Sequence, residues 1–195
     1  MSKTGASSVS RASRAMSIRT MAYSAFLIAL SVVLARLIIP MPSADTRFSI
    51  EAIPIFLAGA LFGPLAGGMV GFAADFIGCL FSPYGYNPLF SVPPILYGVC
   101  AGLFRPLLAK ETSILTLLTA WLPPVILGSV LYQSATLAFM YGTEDSFLAN
   151  FTVYLSARSI QFGITIVLNI LITHLLFRAR VFERAKVWPP RFAKQ

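Results

Sequence analysis

Three arginines stand apart from the other basic residues of the chain. Most of the Lys and Arg residues lie in the two tails and in one short loop, which is the pattern of cytoplasmic segments. Arg36, Arg47 and Arg158 fall in the opposite, outer half of the predicted bundle, where that pattern gives no reason for them. Because a guanidinium can bind a carboxylate through two parallel hydrogen bonds, the three arginines predict a site for an anionic ligand.

The alternative is that these arginines pair with acidic side chains of the same chain. The acidic candidates in this half are Asp45, Glu51 and Asp75. Asp75 lies inside an apolar run, where a carboxylate costs about 2.5–3.5 kcal/mol on insertion scales. We therefore expect its side chain to face protein, water or a partner group.

Aromatic and amide side chains near the arginines complete the predicted site. Residues 82–92 are rich in Pro, Gly and Asn and read as a structured outer loop with flat tyrosine faces. An aromatic belt at the membrane interface is the alternative for each tyrosine taken alone. The predicted pocket, for a flat and negatively charged molecule, comprises Arg36, Arg47, Tyr84, Tyr86, Asn87, Tyr132, Gln133, Arg158 and Gln161.

The sequence offers no set of residues typical of catalysis. It has a single histidine, His174, near the predicted cytoplasmic end, and no cluster with metal-ligand spacing. It also lacks the G-x-x-x-x-G-K-[ST] loop that binds ATP phosphates. We predict no catalytic residue, metal site or cofactor, and a membrane-embedded enzyme remains the main alternative class.

Composition places the chain in a lipid bilayer. Of its 195 residues, 57% are hydrophobic and 11% are charged, and the mean hydropathy is +0.78. Soluble domains carry about 25% charged residues, so we predict an integral membrane protein. A spanning helix needs about 20 apolar residues, which leaves room for about six helices. The net charge of +8 comes mainly from the tails, so no nucleic-acid partner is predicted.

The predicted fold is all-α, with six transmembrane helices, both termini in the cytoplasm and a location in the cell membrane. Residues 1–19 form a basic tail, 20–178 the membrane domain and 179–195 a second basic tail. The fifth helix is expected to kink at Pro123-Pro124. The predicted spans are 21–39, 50–62, 65–81, 93–108, 114–141 and 151–177.

Small residues recur at four-residue spacing on two of these helices. Ala25 and Ala29 form one such pair, and Gly67 and Gly71 form the other. Small faces let helices approach closely in a bilayer. Each pair is expected either to dock a second protein or to pack the chain's own bundle.

The stretch from Phe48 to Gly78 carries a family resemblance. It reads F-x-I-x-x-I-P-I-x-L-A-G-x-L-F-G-P-L-A-G-x-x-x-G-x-x-A-D-x-I-G and resembles the substrate-binding S components of energy-coupling factor (ECF) vitamin transporters, most of all the folate branch. The resemblance implies vitamin capture at the outer face and docking on a transmembrane coupling subunit that carries two cytoplasmic ATPases. It further implies that the two small-residue pairs form the dock and that loop 40–49 acts as a gate.

Folate agrees with the charge argument, because its glutamate tail carries two carboxylates and its pterin ring is flat. Other vitamins such as riboflavin remain open, whereas cationic thiamine would be poorly served by three arginines. A purely structural membrane subunit is a further alternative. It would show no saturable binding of a small molecule.

Overall fold

A computed structural model describes the apolar body of the chain. It covers residues 18–36, 39–40, 47–48, 50–81, 85–142, 146–185 and 187–188. Two short strands, β1 (Ile39–Pro40) and β2 (Arg47–Phe48), pair antiparallel, with Ile39 opposite Phe48. The α-helices are α1 (Ile18–Leu34), α2 (Ala52–Phe62), α3 (Pro64–Leu80), α4 (Val92–Leu103), α5 (Arg105–Lys110), α6 (Ile114–Pro124), α7 (Gln133–Tyr141), α8 (Phe147–Arg178) and α9 (Val181–Arg184).

Helix α2 lies at the centre of the bundle and turns directly into α3. Every residue of α2 from Ile53 to Leu61 is buried, and the helix contacts α1, α3, α4 and α8. A single residue, Gly63, joins α2 to α3 with a φ of 103°, a conformation that side chains other than glycine rarely adopt. Pro64 then begins α3, because its fixed φ suits the first turn of a helix.

Helices α3 and α4 meet backbone to backbone at their glycines. Gly67 and Gly71 are buried, and a Cβ atom added to either would overlap the carbonyl oxygen of Gly98 or Pro94 respectively. The prediction that Gly67 and Gly71 dock a partner is therefore wrong. Both have their packing partner on α4 of the same chain, which is the alternative that their spacing also allowed.

Helix boundaries follow the prediction with three informative differences. Helix α1 ends at Leu34 instead of residue 39, because Ile39 and Pro40 are extended and pair with β2. Helix α4 ends at Leu103, and a separate short helix begins at Arg105 with Pro106 in its first turn, since proline disfavours continuation of the preceding turn. Helix α8 begins at Phe147, four residues before the predicted start.

The predicted break in the fifth apolar run is present as a change of helix type. Helix α6 ends at Pro124, and residues Val125–Tyr132 form a π-helical segment that continues into α7. Proline removes backbone hydrogen bonds of the usual α-helical pattern, and wide helical turns are frequent at functional sites. The segment carries Ser129 toward the polar cavity described below.

The apolar helices fall into two length classes. Helix α8 and the run Ile114–Tyr141 are long and apolar enough to cross a membrane. Four shorter apolar helical stretches cover Ile18–Leu34, Ala52–Phe62, Pro64–Leu80 and Pro88–Leu103. The count of six spans and the cytoplasmic position of both termini stay predictions.

Basic side chains gather at one end of the bundle. Arg105 donates a hydrogen bond from Nη2 to the carbonyl oxygen of Leu61 at 2.7 Å, and Arg19 reaches the carbonyl oxygen of Ala185 at 2.9 Å. Residues beyond α8 fold back at the same end, where Trp188 contacts Phe177 edge-on with ring centroids 5.1 Å apart. This end lies opposite the cavity.

Candidate functional site

A cavity of about 540 Å³ opens between the helices at the end away from these basic residues. Its walls come from the end of α1, the start of α2, the end of α3, the start of α4, the π-helical segment, α7 and the middle of α8. Small-molecule sites measure about 300–1,000 Å³, so the volume suits one ligand of vitamin size.

Four of the nine residues predicted to bind substrate line this cavity. They are Arg36, Gln133, Arg158 and Gln161. Arg36 donates one hydrogen bond from Nη2 to the carbonyl oxygen of Gly78 at 2.9 Å, which fixes its guanidinium against α3. The Arg158 guanidinium lies 5.9 Å from the centre of the Phe162 ring.

The two cavity arginines lack acidic partners in the part of the chain that the structure describes. Neither Arg36 nor Arg158 forms an ion pair there, although Glu51 and Asp75 line the same cavity. A guanidinium in a partly enclosed site forms strong charge-assisted hydrogen bonds with a carboxylate. The arrangement can therefore hold an anionic group of a ligand.

Three other predicted residues do not line this cavity, and their role in binding stays a prediction. The Tyr86 ring packs edge-on against Phe76, with centroids 5.1 Å apart. The Asn87 side chain accepts a hydrogen bond from the Leu89 backbone N–H at 3.1 Å and so caps the short helix at Pro88–Ser91. Tyr132 directly precedes Gln133 along the chain and does not line the cavity.

The remaining two predicted residues cannot be placed in the same way. Arg47 lies on β2, where the backbone alone is described, and Tyr84 lies outside the described residues. Strand β2 contacts α8, the helix that carries Arg158. A role for Arg47 and Tyr84 in binding stays a prediction.

Asp75 has a polar environment within the cavity wall, as expected for a carboxylate in an apolar helix. Ser91 donates a hydrogen bond to Asp75 Oδ2 at 2.5 Å, and its Oγ lies 3.1 Å from Tyr86 Oη. Tyr86 thus supports the wall from behind without lining the cavity. The sequence indicated that Asp75 needed a partner, but nothing in it identified Ser91.

Tyr97 and Ser129 line the cavity and were not predicted from the sequence. Their hydroxyl groups share a buried hydrogen bond of 2.8 Å. Beneath them the Trp121 ring lies 5.6 Å from Tyr97 and stacks on Phe56 at 4.3 Å. These aromatic rings close the cavity toward the basic end of the bundle.

Thr165 and Asn169 on α8 also line the cavity and were not predicted. Their signal was present in the sequence, because they follow Gln161 at intervals of four residues in an otherwise apolar helix. Such spacing places side chains on one helical face. In the described part of the chain, no group of three or more His, Cys, Asp and Glu residues is arranged to hold a metal ion.

An apolar helical bundle around a polar, ligand-sized cavity defines a membrane-embedded protein that binds small molecules. The chain belongs to the ECF-type riboflavin transporter S component family, whose model matches residues 15–179. S components of this family are integral membrane proteins of vitamin transporters. The resemblance stated from residues 48–78 is thereby confirmed at the level of the family.

Two of the similar proteins are folate transporters by name. The curated folate transporter FolT of Clostridium novyi (strain NT) is 33% identical over 88 residues, which span 45% of this chain and 51% of that protein. The matched stretch is thus about half the length of that relative. A crystal structure of FolT bound with folic acid is 29% identical and covers 83% of this chain and 93% of its own, with a TM-score of 0.69.

A more distant structure shares the fold. The S component for biotin from an ECF-type ABC transporter is 20% identical and covers 84% of this chain and 95% of its own, with a TM-score of 0.58. At this identity the likeness concerns the helical architecture alone. The same architecture therefore accommodates different vitamins, and the ligand must be argued from the cavity.

Proposed function

We propose that this chain is the substrate-capture subunit of an ATP-driven vitamin importer and that its vitamin is folate or a reduced folate. The observation that carries this proposal is the pair of cavity arginines, Arg36 and Arg158, neither of which forms an ion pair within the described part of the chain. Folate brings two carboxylates on its glutamate tail. The similarity to FolT, whose crystal structure holds folic acid, supports the same ligand.

We place the cavity at the outer face of the cell membrane, in a multi-pass protein of six spans with both termini inside. The support is the basic cluster at the far end of the bundle, which suits the cytoplasmic side. Transport then requires a transmembrane coupling subunit and two ATPases. Ala25 and Ala29 are exposed on α1 and are our candidates for the docking surface.

Riboflavin is the second candidate, because the family model is described by that vitamin. Riboflavin has a flat ring system and no carboxylate. It would offer no carboxylate to the two cavity arginines. Folate satisfies them, and for this reason we favour it.

Titration of the purified, full-length protein tests the proposal. We expect sub-micromolar binding of folate in detergent without any ATPase subunit, measured by calorimetry or by tryptophan fluorescence, with riboflavin binding more weakly. Arg158→Gln and Arg36→Gln should each weaken folate binding by about 10- to 100-fold, as the loss of a charge-assisted hydrogen bond does.

Arg105→Gln is the matched control, since Arg105 lies at the opposite end and bonds to the Leu61 carbonyl oxygen. Its folate affinity should equal that of the wild type. Tighter binding of riboflavin than of folate would overturn the folate assignment. Unchanged folate affinity in both cavity variants would show that the two arginines do not bind the ligand.

A further inference from the structure

The cavity has two chemically different ends along α8. Arg158 and Asn169 are eleven residues apart on this helix, which corresponds to about 16 Å along its axis. Burial increases in the same direction: Gln161 is 9% exposed, Thr165 5% and Asn169 2%. The cavity therefore runs from a cationic, partly exposed end to a neutral, polar floor.

Most polar groups near the floor are already hydrogen-bonded within the protein. Thr165 donates from Oγ1 to the carbonyl oxygen of Gln161 at 2.9 Å, and the hydroxyl groups of Tyr97 and Ser129 bond to each other. Asn169 is different. Among the described residues its Oδ1 atom has no hydrogen-bond partner, although the atom is buried and the residue lines the cavity.

A buried acceptor without a hydrogen-bond partner destabilises the folded protein. Loss of its hydrogen bond to water costs about 1–3 kcal/mol, so nearly all such groups in folded proteins are satisfied. An amide oxygen accepts from an N–H or O–H group. A ligand that reaches the floor with an N–H donor on a flat ring would satisfy it.

We propose that Asn169 is a specificity-determining residue whose Oδ1 accepts a hydrogen bond from a ring N–H of the vitamin at the cavity floor, while Arg36 and Arg158 hold its carboxylates at the other end. This inference rests on the proposed function. It orients the ligand with its ring deep in the bundle and its anionic tail toward the opening.

Thr173 offers a matched comparison within the same helix. It lies one turn below Asn169, is fully buried, and its Oγ1 likewise has no partner among the described residues. It does not line the cavity. An effect on ligand binding that is confined to Asn169 would therefore report contact with the ligand and not the burial of a polar atom.

The test compares folate with p-aminobenzoyl-glutamate. This fragment keeps the carboxylates and the benzoyl ring of folate and lacks its pterin ring. In Asn169→Leu we expect folate to bind about 10- to 100-fold more weakly and the fragment to bind as it does to the wild type. Thr173→Val should bind both as the wild type does. The melting temperature of ligand-free Asn169→Leu should equal or exceed that of the wild type, because the change removes an unsatisfied buried group.

Each other outcome counts against a specific statement. Equal loss of folate and fragment binding, or unchanged folate binding, in Asn169→Leu would overturn the role of Asn169. If the leucine does not fit the fold, Asn169→Ala removes the same acceptor without added volume and is judged by the same two ligands. Wild-type protein that binds no folate would instead refute the proposed function.

Discussion

Two pairs of small residues, one on α1 and one on α3, have the same spacing and opposite surroundings. Ala25 and Ala29 are exposed on the surface of the bundle. Gly67 and Gly71 are buried against the backbone of α4. What distinguishes them is the element opposite: α4 presents its own glycine, Gly98, at the point where α3 crosses it. A small face thus permits close approach, and the facing helix decides whether the contact is internal.

Helices α1 and α3 therefore have different structural roles. The α3 face fixes the inner layer that α2, α3 and α4 form, and this layer supplies one side of the cavity through Asp75 and Tyr97. The α1 face is left for lipid or for a partner protein. Bulk added to either face should therefore have distinct consequences, and these can be measured.

The largest effect is expected from Gly67→Leu. Its side chain would occupy the space of the Gly98 backbone, so the α3–α4 contact cannot form and the free energy of unfolding should fall by about 3 kcal/mol or more. Folate binding should be lost together with the folded protein. Thermal unfolding in detergent and the monodisperse yield measure the effect.

Gly163→Leu is the control for this change, because a Cβ atom at Gly163 on α8 meets no other atom within 4 Å. It should fold normally. If Gly67→Leu melted like the wild type and failed only in uptake, the α3 glycines would be docking residues after all.

A smaller and more selective effect is expected from Ala29→Trp. The exposed position accepts a large side chain without disturbing the core, so the melting temperature and folate affinity should stay at the wild-type values. Uptake into vesicles that contain the coupling subunit and ATPases should fall at least about 10-fold if α1 docks there. Co-purification with the coupling subunit checks the assembly. Normal uptake by this variant would show that the α1 face contacts lipid and does not dock on the coupling subunit.

The smallest effect is expected from Ala29→Ser. Serine keeps the face small and costs only about 0.5 kcal/mol of helix propensity, so uptake should stay within about twofold of the wild type. Uptake assays run beside those for Ala29→Trp provide the measurement. A serine variant as defective as the tryptophan variant would show that size is not what the α1 face requires.

The sequence predicted the apolar helices well because their signals are local. Gly63-Pro64 marked the α2–α3 corner, and Pro123-Pro124 marked the change of helix type. The end of α1 was placed too late, since Ile39 pairs with Phe48, a residue nine positions further along the chain. Contacts of this kind cannot be predicted from the local sequence pattern.

The sequence drew attention to cavity residues that carry charge and passed over neutral ones. Arg36 and Arg158 stood out because guanidinium groups are costly in a membrane-spanning helix, and both line the cavity. Asn169 and Ser129 are neutral and small enough to pass as packing residues, and Tyr97 looks like any aromatic core residue. The contact of Tyr86 with Phe76 could not be predicted, because a loop tyrosine can face a ligand or a neighbouring ring and the sequence does not say which ring lies beside it.

The π-helical segment Val125–Tyr132 has a consequence for how chain length can vary in this fold. Each of its turns holds more residues than an α-helical turn, so the span covers a given height with residues to spare. A homologue shorter by one residue here can revert to a regular α-helix and keep both flanks in place. A one-residue deletion between Arg158 and Asn169 has no such slack, because it would turn the two side chains by about 100° relative to each other around α8.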